Sequence, residues 1–286
     1  MFINEKELIQ LNTNHTSHNG NVGYGQINQA RVSKSLSHFK EGFLDKWDLK
    51  AYYSPSEPAI FFGLYLKEDW EILKNHKSYA LIIWGGNDQS IDSFKRVKKL
   101  CKDRLLGSPA YRPNMIKILK NIQYPFREMK LPLKDYSSFK PTKLGDKIYV
   151  YNGWKYSRDD YFKWESDIIP VIKEFGEDRV IFTKNQKIQD LIENYYKKSF
   201  VFIKPEPKGG STTMWEMGHM GIKTISRDQG NLPHVIEYND KEHLINLIKG
   251  EECKIDTIQE DLANLVSNQL YSSSDWKLLD FWKKNN

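Results

Sequence analysis

The feature that most constrains this chain is a regular alternation between short apolar segments and longer amphipathic segments. Tyr79–Trp84 has the composition and length of a buried strand, and Ser90–Lys102 has the apolar spacing of a helix. An alternation of this kind is typical of α/β proteins. We therefore predict strands that are covered by helices along most of the chain.

The alternation is interrupted between Lys130 and Asp146 and then starts again. This stretch contains Pro132 and Pro141 and has no periodic apolar pattern, as expected for a connection between domains. A length of 286 residues also suits two domains. The pattern predicts two consecutive α/β units, each with its own sheet.

Composition narrows the class of protein. The chain has 43 Lys and Arg against 37 Asp and Glu, a mild positive excess that suits an anionic partner but does not mark a nucleic-acid binder. Its two cysteines, Cys101 and Cys253, are far apart, which argues against a disulfide scaffold and a cysteine zinc site. No signal peptide or membrane-spanning run is visible, so a cytoplasmic protein is expected.

The segment that follows the predicted strand Ser199–Ile203 has the pattern of an anion-binding turn. Glycines there allow a ligand to approach the backbone, and the free N–H groups at the start of the next helix favour a phosphate. Glu216 lies four residues after Thr212, on the same helix face, where its carboxylate can accept the two hydroxyls of a ribose. The candidate binding residues are Lys208, Gly209, Gly210, Ser211, Thr212, Thr213 and Glu216.

A structural explanation of the same residues is equally consistent with their spacing. Thr213 and Glu216 match a capping box, in which the glutamate only bonds back to the start of its own helix.

The next motif, Gly230-Asn-Leu-Pro233, favours the binding role. Together with Pro205, Gly209, Glu216 and Gly221, it resembles in order and spacing the C-terminal domain of the group 1 glycosyltransferases, which have the GT-B fold. The resemblance implies two Rossmann-like domains that face each other across a cleft. It assigns residues 1–140 to the acceptor side, 147–260 to nucleotide-sugar binding, and 261–286 to a helix that returns to the first domain.

The chain departs from that family at two places. Lys208 stands where the family has its first glutamate, although Glu206 is two residues earlier. Trp154 stands where the family has an arginine, and the nearby Lys155 and Arg158 are the candidates to neutralise the donor diphosphate.

The N-terminal half offers a second glycine-rich loop, at residues 14–25. It is predicted to lie between a strand at Glu7–Asn12 and a helix at Gln26–Lys40, and it resembles the family loop that approaches donor or acceptor. Gly23 and Gly25 are its candidate binding residues, and His18 is a candidate base, although loop histidines are usually only solvated. We expect Asn19–Gly25 and Lys208–Glu216 to border the cleft.

Asp88 follows the buried strand Tyr79–Trp84. Ligands of open α/β sheets gather at the carboxyl ends of strands, so Asp88 is a candidate to act on an acceptor hydroxyl. The alternative is a turn in which Asp88 or Ser90 caps the next helix.

That next helix, Ser90–Lys102, combines a narrow apolar stripe with five basic residues. This pattern is compatible with peripheral contact to an anionic membrane, although it favours a solvated face of a packed helix.

The resulting prediction is a glycosyltransferase that moves a sugar from a nucleotide-sugar donor to a glycan, lipid-linked or protein acceptor. The resemblance implies retention of anomeric configuration, and no metal, cofactor or nucleic acid is expected. The alternatives are a nucleotide-sugar 2-epimerase on the same fold, or a non-catalytic module that binds nucleotide-sugar or nucleic acid.

Overall fold

The fold consists of two parallel sheets, as the alternation predicted. The computed structural model describes residues 25–86, 88–150, 163–182, 186–205, 212–227 and 232–283. Within them, a six-stranded sheet belongs to the first half of the chain and a five-stranded sheet to the second half. Every pair of neighbouring strands is parallel.

The strands of the first sheet are β1 Gln29–Val32, β2 Lys50–Ala51, β3 Ala59–Phe62, β4 Ala80–Ile83, β5 Leu105–Ala110 and β6 Phe126–Glu128. Those of the second are β7 Lys147–Val150, β8 Val180–Phe182, β9 Ser199–Lys204, β10 Lys223–Ser226 and β11 Val235–Glu237.

The helices of the first half are α1 Ser37–Trp47, α2 Lys67–Asn75, α3 Ile91–Cys101 and α4 Pro113–Asn121. Those of the second half are α5 Ile169–Phe175, α6 Ile188–Leu191, α7 Thr212–His219, α8 Lys241–Glu251, α9 Glu260–Ser267 and α10 Leu279–Lys283. The π-helical turn Trp164–Ile168 leads into α5, and Ile192–Tyr196 continues α6.

The two sheets share one strand order. The first runs β2-β1-β3-β4-β5-β6, and the second, read from its other edge, runs β8-β7-β9-β10-β11. In sheets of this order, ligands bind outside the carboxyl ends of the strands, at the point where the order reverses. For the second sheet that point lies between β7 and β9, directly before residues 151–162 and 206–211 in the chain.

The prediction of a helix over Gln26–Lys40 is wrong. Residues 29–32 are strand β1, which pairs with β2 on one side and β3 on the other, and the helix begins only at Ser37. The buried Gln29 amide forms hydrogen bonds with the backbone of Tyr53, Ser54 and Glu57. These bonds satisfy its polar atoms and allow a glutamine to be buried within the sheet. The predicted strand Glu7–Asn12 and residues 14–24 of the predicted glycine-rich loop lie outside the described part of the chain, and Gly25 is followed by strand β1 and not by a helix.

The C-terminal segment, which the resemblance assigned to one helix over 261–286, is instead interrupted between α9 and α10. After α9 it turns back to the first half of the chain, where Tyr271 N donates to Lys130 O at 2.9 Å and Ile27 N donates to Lys277 O at 2.8 Å. Trp276, Leu279 and Trp282 complete the apolar core on one face of the first sheet. The end of the chain is therefore part of the first unit.

The connection between the units is packed on both sides. Met129 and Leu131 belong to the core of the first unit, whereas Tyr136 and Phe139 belong to the core of the second. The chain thus passes from one unit to the other between residues 131 and 136, and Lys134 lies at the crossing.

Candidate functional site

The carboxyl edges of the two sheets meet at aromatic and charged residues. Tyr111 directly follows the end of β5, and Trp215 lies on α7, the helix that follows β9. Their rings are 6.1 Å apart in an edge-to-face arrangement. Because ligands of parallel sheets gather at this edge, the space between the units is the candidate site.

Glu216 is the central carboxylate of this site. It is buried, with 4% of its surface exposed, although it carries a group that usually faces water. Lys134 forms an ion pair with one of its oxygens, and the Tyr196 hydroxyl donates to the other at 2.6 Å. Glu216 therefore joins the connection between the units to the second unit.

The neighbouring Tyr196 shows how dry this region is. Burial, reinforced by the negative charge of Glu216, raises the pKa of the Tyr196 phenol above its ordinary value. The phenol therefore stays protonated and acts as a hydrogen-bond donor to Glu216 across the ordinary pH range.

The capping-box interpretation of Glu216 is wrong. Helix α7 begins at Thr212, so Thr213 lies inside the helix and not at its N-cap. The Glu216 carboxylate binds Lys134 and Tyr196, which are 82 and 20 residues away along the chain. Its position is thus set by tertiary contacts.

Of the other binding residues predicted in this turn, the structure describes Thr212 and Thr213. Thr212 and Thr213 form the first turn of α7, both half-buried, which puts their N–H groups at the positive end of the helix. The remaining predicted site residues lie outside the described part of the chain: His18, Gly23, Lys155, Arg158, Lys208, Gly209, Gly210 and Ser211.

Asp88 is held by the backbone at the ends of β3 and β4. Its carboxylate accepts from the N–H groups of Leu64, Gly85 and Gly86 at 2.9–3.0 Å. Burial raises the pKa of Asp88, and these three donors oppose that effect. Ser90, not Asp88, caps α3. The arrangement supports a structural role for Asp88, because its acceptor capacity is used to tie two loops together.

Gly25 lies away from this site. It precedes β1, its carbonyl accepts from Leu279 N at 3.0 Å, and a Cβ at this position would lie 2.7 Å from the Leu279 side chain. The start of a parallel strand is at the opposite edge of the sheet from its carboxyl end. The predicted substrate contact of Gly25 is therefore not supported, and its observed role is close packing against the C-terminal segment.

Sequence reasoning missed the residues that the connection and the first unit contribute. Lys134 and Lys130 stand in a stretch without periodicity, and Tyr111 directly follows strand β5 without belonging to any of the motifs described above. The lysines of the proline-containing connection were the one available signal in the sequence. A lysine in a buried connection needs a polar partner, which indicates a contact with another part of the chain. The partner itself was visible only in the fold.

A second buried carboxylate braces the second unit. Asp167 receives two hydrogen bonds of 2.8 Å from the Arg227 guanidinium and one of 2.6 Å from the Tyr238 hydroxyl. Burial alone would raise the pKa of Asp167, but these donors outweigh it and lower the pKa. Arg227 directly follows β10, so the brace orders the carboxyl edge of the second sheet.

Within the described ranges, no group of three or more His, Cys, Asp or Glu side chains is arranged to hold a metal ion. Across the same residues, no helix combines the length and apolar character that crossing a membrane requires.

Comparison with known proteins identifies the fold. No family model matches the chain, and no curated protein matches its sequence. Among solved structures, the chain is similar to sucrose-phosphate synthase from Thermosynechococcus elongatus, with a TM-score of 0.56 and 12% identity over 89% of this chain and 80% of that one. It is also similar to a DNA-modifying β-glucosyltransferase, with a TM-score of 0.50 and 11% identity over 90% of this chain and 99% of that one.

TarM is a third similar structure, with a TM-score of 0.50 and 12% identity over 82% of this chain. This chain spans 56% of the length of TarM. At such low identity the likeness establishes the fold. The expectation of two Rossmann-like units facing across a cleft is therefore confirmed, and the chain has the GT-B fold.

Proposed function

We propose that this protein is a glycosyltransferase that transfers a sugar from a nucleotide-sugar donor to an acceptor hydroxyl, with retention and without a metal or cofactor. The observation that carries the proposal is the position of Glu216. It is a buried carboxylate on the helix after β9, at the carboxyl edge of the second sheet, where it pairs with Lys134 of the connection between the units. One of the similar solved structures, the DNA-modifying β-glucosyltransferase, has uridine diphosphoglucose as its substrate.

Glu216 has the capacity to bind a ribose in addition to its present partners. An ionised carboxylate offers about four lone-pair sites. Lys134 and Tyr196 use one site on each oxygen, which leaves two for the ribose hydroxyls. Only 6% of the Glu216 side chain is exposed, so donor binding requires the units to part at Lys134.

The phosphate end of the donor would face the residues that follow β7 and β9 in the chain. Lys155 or Arg158, together with the N–H groups of Ser211 and Thr212, would offset the charge that grows on the leaving diphosphate. The bond from the anomeric carbon to the phosphate oxygen breaks, and the bond to the acceptor oxygen forms. If the configuration is inverted instead, His18 is the candidate base for the acceptor proton, because the other candidate, Asp88, is already engaged by three backbone donors.

The test begins with a thermal-shift screen against UDP, GDP, ADP, CMP and dTDP sugars. A ligand present at a hundred times its dissociation constant stabilises the folded state by about 2.7 kcal/mol, which is readily measured. Calorimetry with the best donor then compares wild type with Glu216→Gln. Loss of a charge-assisted hydrogen bond is worth about 1.5–3 kcal/mol, so the dissociation constant should rise roughly ten- to a hundredfold.

Glu251→Gln is the matched control, because Glu251 is also a buried glutamate of the second unit that pairs with a lysine, at 2.6 Å. It should leave donor affinity unchanged. Equal dissociation constants in all three proteins would exclude the ribose role of Glu216. Product formed from the donor alone, without acceptor, would favour the epimerase, and binding without any turnover would favour a binding module.

We also propose peripheral contact of α3 with an anionic membrane, as a route to a lipid-linked acceptor. Phe94, Val97 and Cys101 pack into the core, which leaves the basic face of α3 outward. Lys95→Glu, Lys98→Glu and Lys99→Glu together should sharply reduce sedimentation with anionic liposomes. The same change at the exposed Lys187, Lys197 and Lys241 of the second unit should have a smaller effect. Equal effects, or no sedimentation of wild type, would exclude this contact.

A further inference from the structure

A second group of charges faces the same site from the first unit. A pocket of about 70 Å³ opens at the carboxyl ends of β4 and β5, and Tyr111, Arg112 and Lys130 are among its lining residues. A pocket of this volume has room for a small group.

The backbone holds the two cations of this pocket side by side. Met129 N donates to Ala110 O at 2.8 Å, which places Lys130 next to Tyr111 and Arg112. Lys130 is fixed from the other side by Tyr271 N, which donates to its carbonyl at 2.9 Å. The pair is therefore a consequence of the pairing of β5 with β6 and of the returning C-terminal segment.

The part of the chain that the structure describes gives neither Arg112 nor Lys130 a carboxylate partner. Among the described residues, Arg112 and Lys130 form no ion pair, although both are half-buried. Their contacts are with rings: Lys130 Nζ lies 4.3 Å from the Tyr111 ring centre and 5.3 Å from that of Trp215. Arg112 Nε is 3.4 Å from the Tyr111 hydroxyl. Asp88, the carboxylate of the loop after β4, already accepts three backbone hydrogen bonds.

Tyr111 reports the positive potential that results. Burial opposes ionisation of its phenol, but Lys130 and Arg112 outweigh that effect and lower the pKa of Tyr111 to about 8. A site that favours a phenolate will also favour other small anions. A guanidinium fork, an ammonium and a hydroxyl within one small pocket match the oxygens of a phosphate group.

We propose that this pocket binds a phosphate group of the acceptor, so that the acceptor substrate is a phosphorylated molecule. The inference rests on the proposed function, because it assumes that the donor occupies the second unit beside Glu216. The phosphate would lie on the first unit against Arg112 and Lys130, and it would hold the acceptor hydroxyl at the cleft. An acceptor phosphate and the donor diphosphate are the two possible sources of this chemistry, and the experiment separates them.

The probe is inorganic phosphate, and its binding is followed by phosphorus NMR with and without saturating UDP. Wild type should bind phosphate equally well in both conditions. Arg112→Gln combined with Lys130→Gln should raise the phosphate dissociation constant at least tenfold and leave that of UDP within twofold. The control combines Lys117→Gln with Lys120→Gln on α4, which removes the same charge from exposed positions and should change neither constant. Arg112→Gln alone repeats the test if the double variant is unstable.

The results distinguish failure of the phosphate pocket from failure of the proposed glycosyltransferase function. Phosphate binding that survives the double variant overturns the pocket. If UDP displaces phosphate and the double variant also binds UDP more weakly, the acceptor assignment is overturned. Arg112 and Lys130 would then bind the donor diphosphate. If wild type binds no nucleotide at all, the proposed function fails and the acceptor assignment fails with it, whereas the phosphate pocket is still judged by the variants.

Discussion

Two buried carboxylates of the second unit, Asp167 and Glu216, differ in what surrounds them. Both oxygens of Asp167 are engaged by the Arg227 fork, and Tyr238 adds a third donor, so little acceptor capacity remains. Glu216 has one donor on each oxygen, and one of these donors is Lys134 of the connection between the units. Asp167 is thus suited to holding the fold, whereas Glu216 keeps acceptor capacity for the ribose that we propose it binds.

The role of Asp167 predicts a loss of stability when its charge is removed. Asp167→Asn should lower the free energy of unfolding by about 1.5–3 kcal/mol, because hydrogen bonds to a charged group are worth that much. Urea denaturation at pH 7 measures the change. Asp146→Asn is the control, since Asp146 makes an exposed pair with Lys147 and should change stability by less than about 0.5 kcal/mol.

The hydrogen bonds that Arg227 and Tyr238 donate to Asp167 also predict that the stability of the protein depends on pH. The pKa of Asp167 is lower in the folded protein than its ordinary value of about 3.9, so its contribution is fully present above that value. It is lost as the pH falls through the folded pKa. The difference in unfolding free energy between wild type and Asp167→Asn should therefore be constant from pH 7 to 5 and shrink below about pH 4. A difference that stays constant into acid would contradict the assignment.

At the scale of elements, two glycines should respond in opposite directions to the same substitution. Gly145 precedes β7, and a Cβ there would lie 2.1 Å from the Lys198 carbonyl oxygen, a backbone atom that cannot move aside. Gly250 lies near the end of α8, and a Cβ there would meet nothing within 4 Å.

Gly145→Ala should destabilise the protein by about 1–3 kcal/mol, as overpacking does. Gly250→Ala should stabilise it by up to about 1 kcal/mol, because alanine is the better helix former and narrows the unfolded ensemble. Thermal unfolding of both variants beside wild type gives the two signs. Shifts of the same sign would show that the contact at Lys198 does not govern β7.

For the molecule as a whole, we expect disruption of the returning C-terminal segment to destabilise parts of the first unit that are distant from it in sequence. Trp276 is fully buried, and its ring lies 5.0 Å from that of Trp47 in an edge-to-face contact. The adjacent Lys277 donates from Nζ to Trp47 O at 2.8 Å. The last residues of the chain thus complete a core whose other members lie more than a hundred residues earlier.

Trp276→Ala should destabilise the first unit by about 3–5 kcal/mol, the usual loss for a buried tryptophan. Hydrogen exchange should accelerate at the Ile27 amide, which bonds to Lys277 O, more than in the second sheet. Leu278→Ala is the control, because this side chain is 39% exposed and its loss should have little effect. Equal acceleration in both sheets would mean that the two units unfold together.

The sequence by itself determined the class of fold and most of its elements. The apolar runs of β3, β4 and β9 and the amphipathic spacing of α2, α3 and α4 are local patterns, and local patterns can be read without the fold. The proline-containing break between the two series likewise predicted two sheets. Strand β1 was not predicted, because it contains the polar residue Gln29. The Gln29 side chain can be buried only where the neighbouring backbone supplies its hydrogen-bond partners.

Only the tertiary structure decided which charges meet. Glu216, Lys134 and Tyr196 are separated by up to 82 residues, and Tyr111, Lys130 and Trp215 come from both units. The spacing of Thr213 and Glu216 allowed a capping box or a ligand site, and it could not choose between them. The long-range partners Lys134 and Tyr196 exclude the capping box, because burying a carboxylate requires donors that only the packing of distant segments can supply.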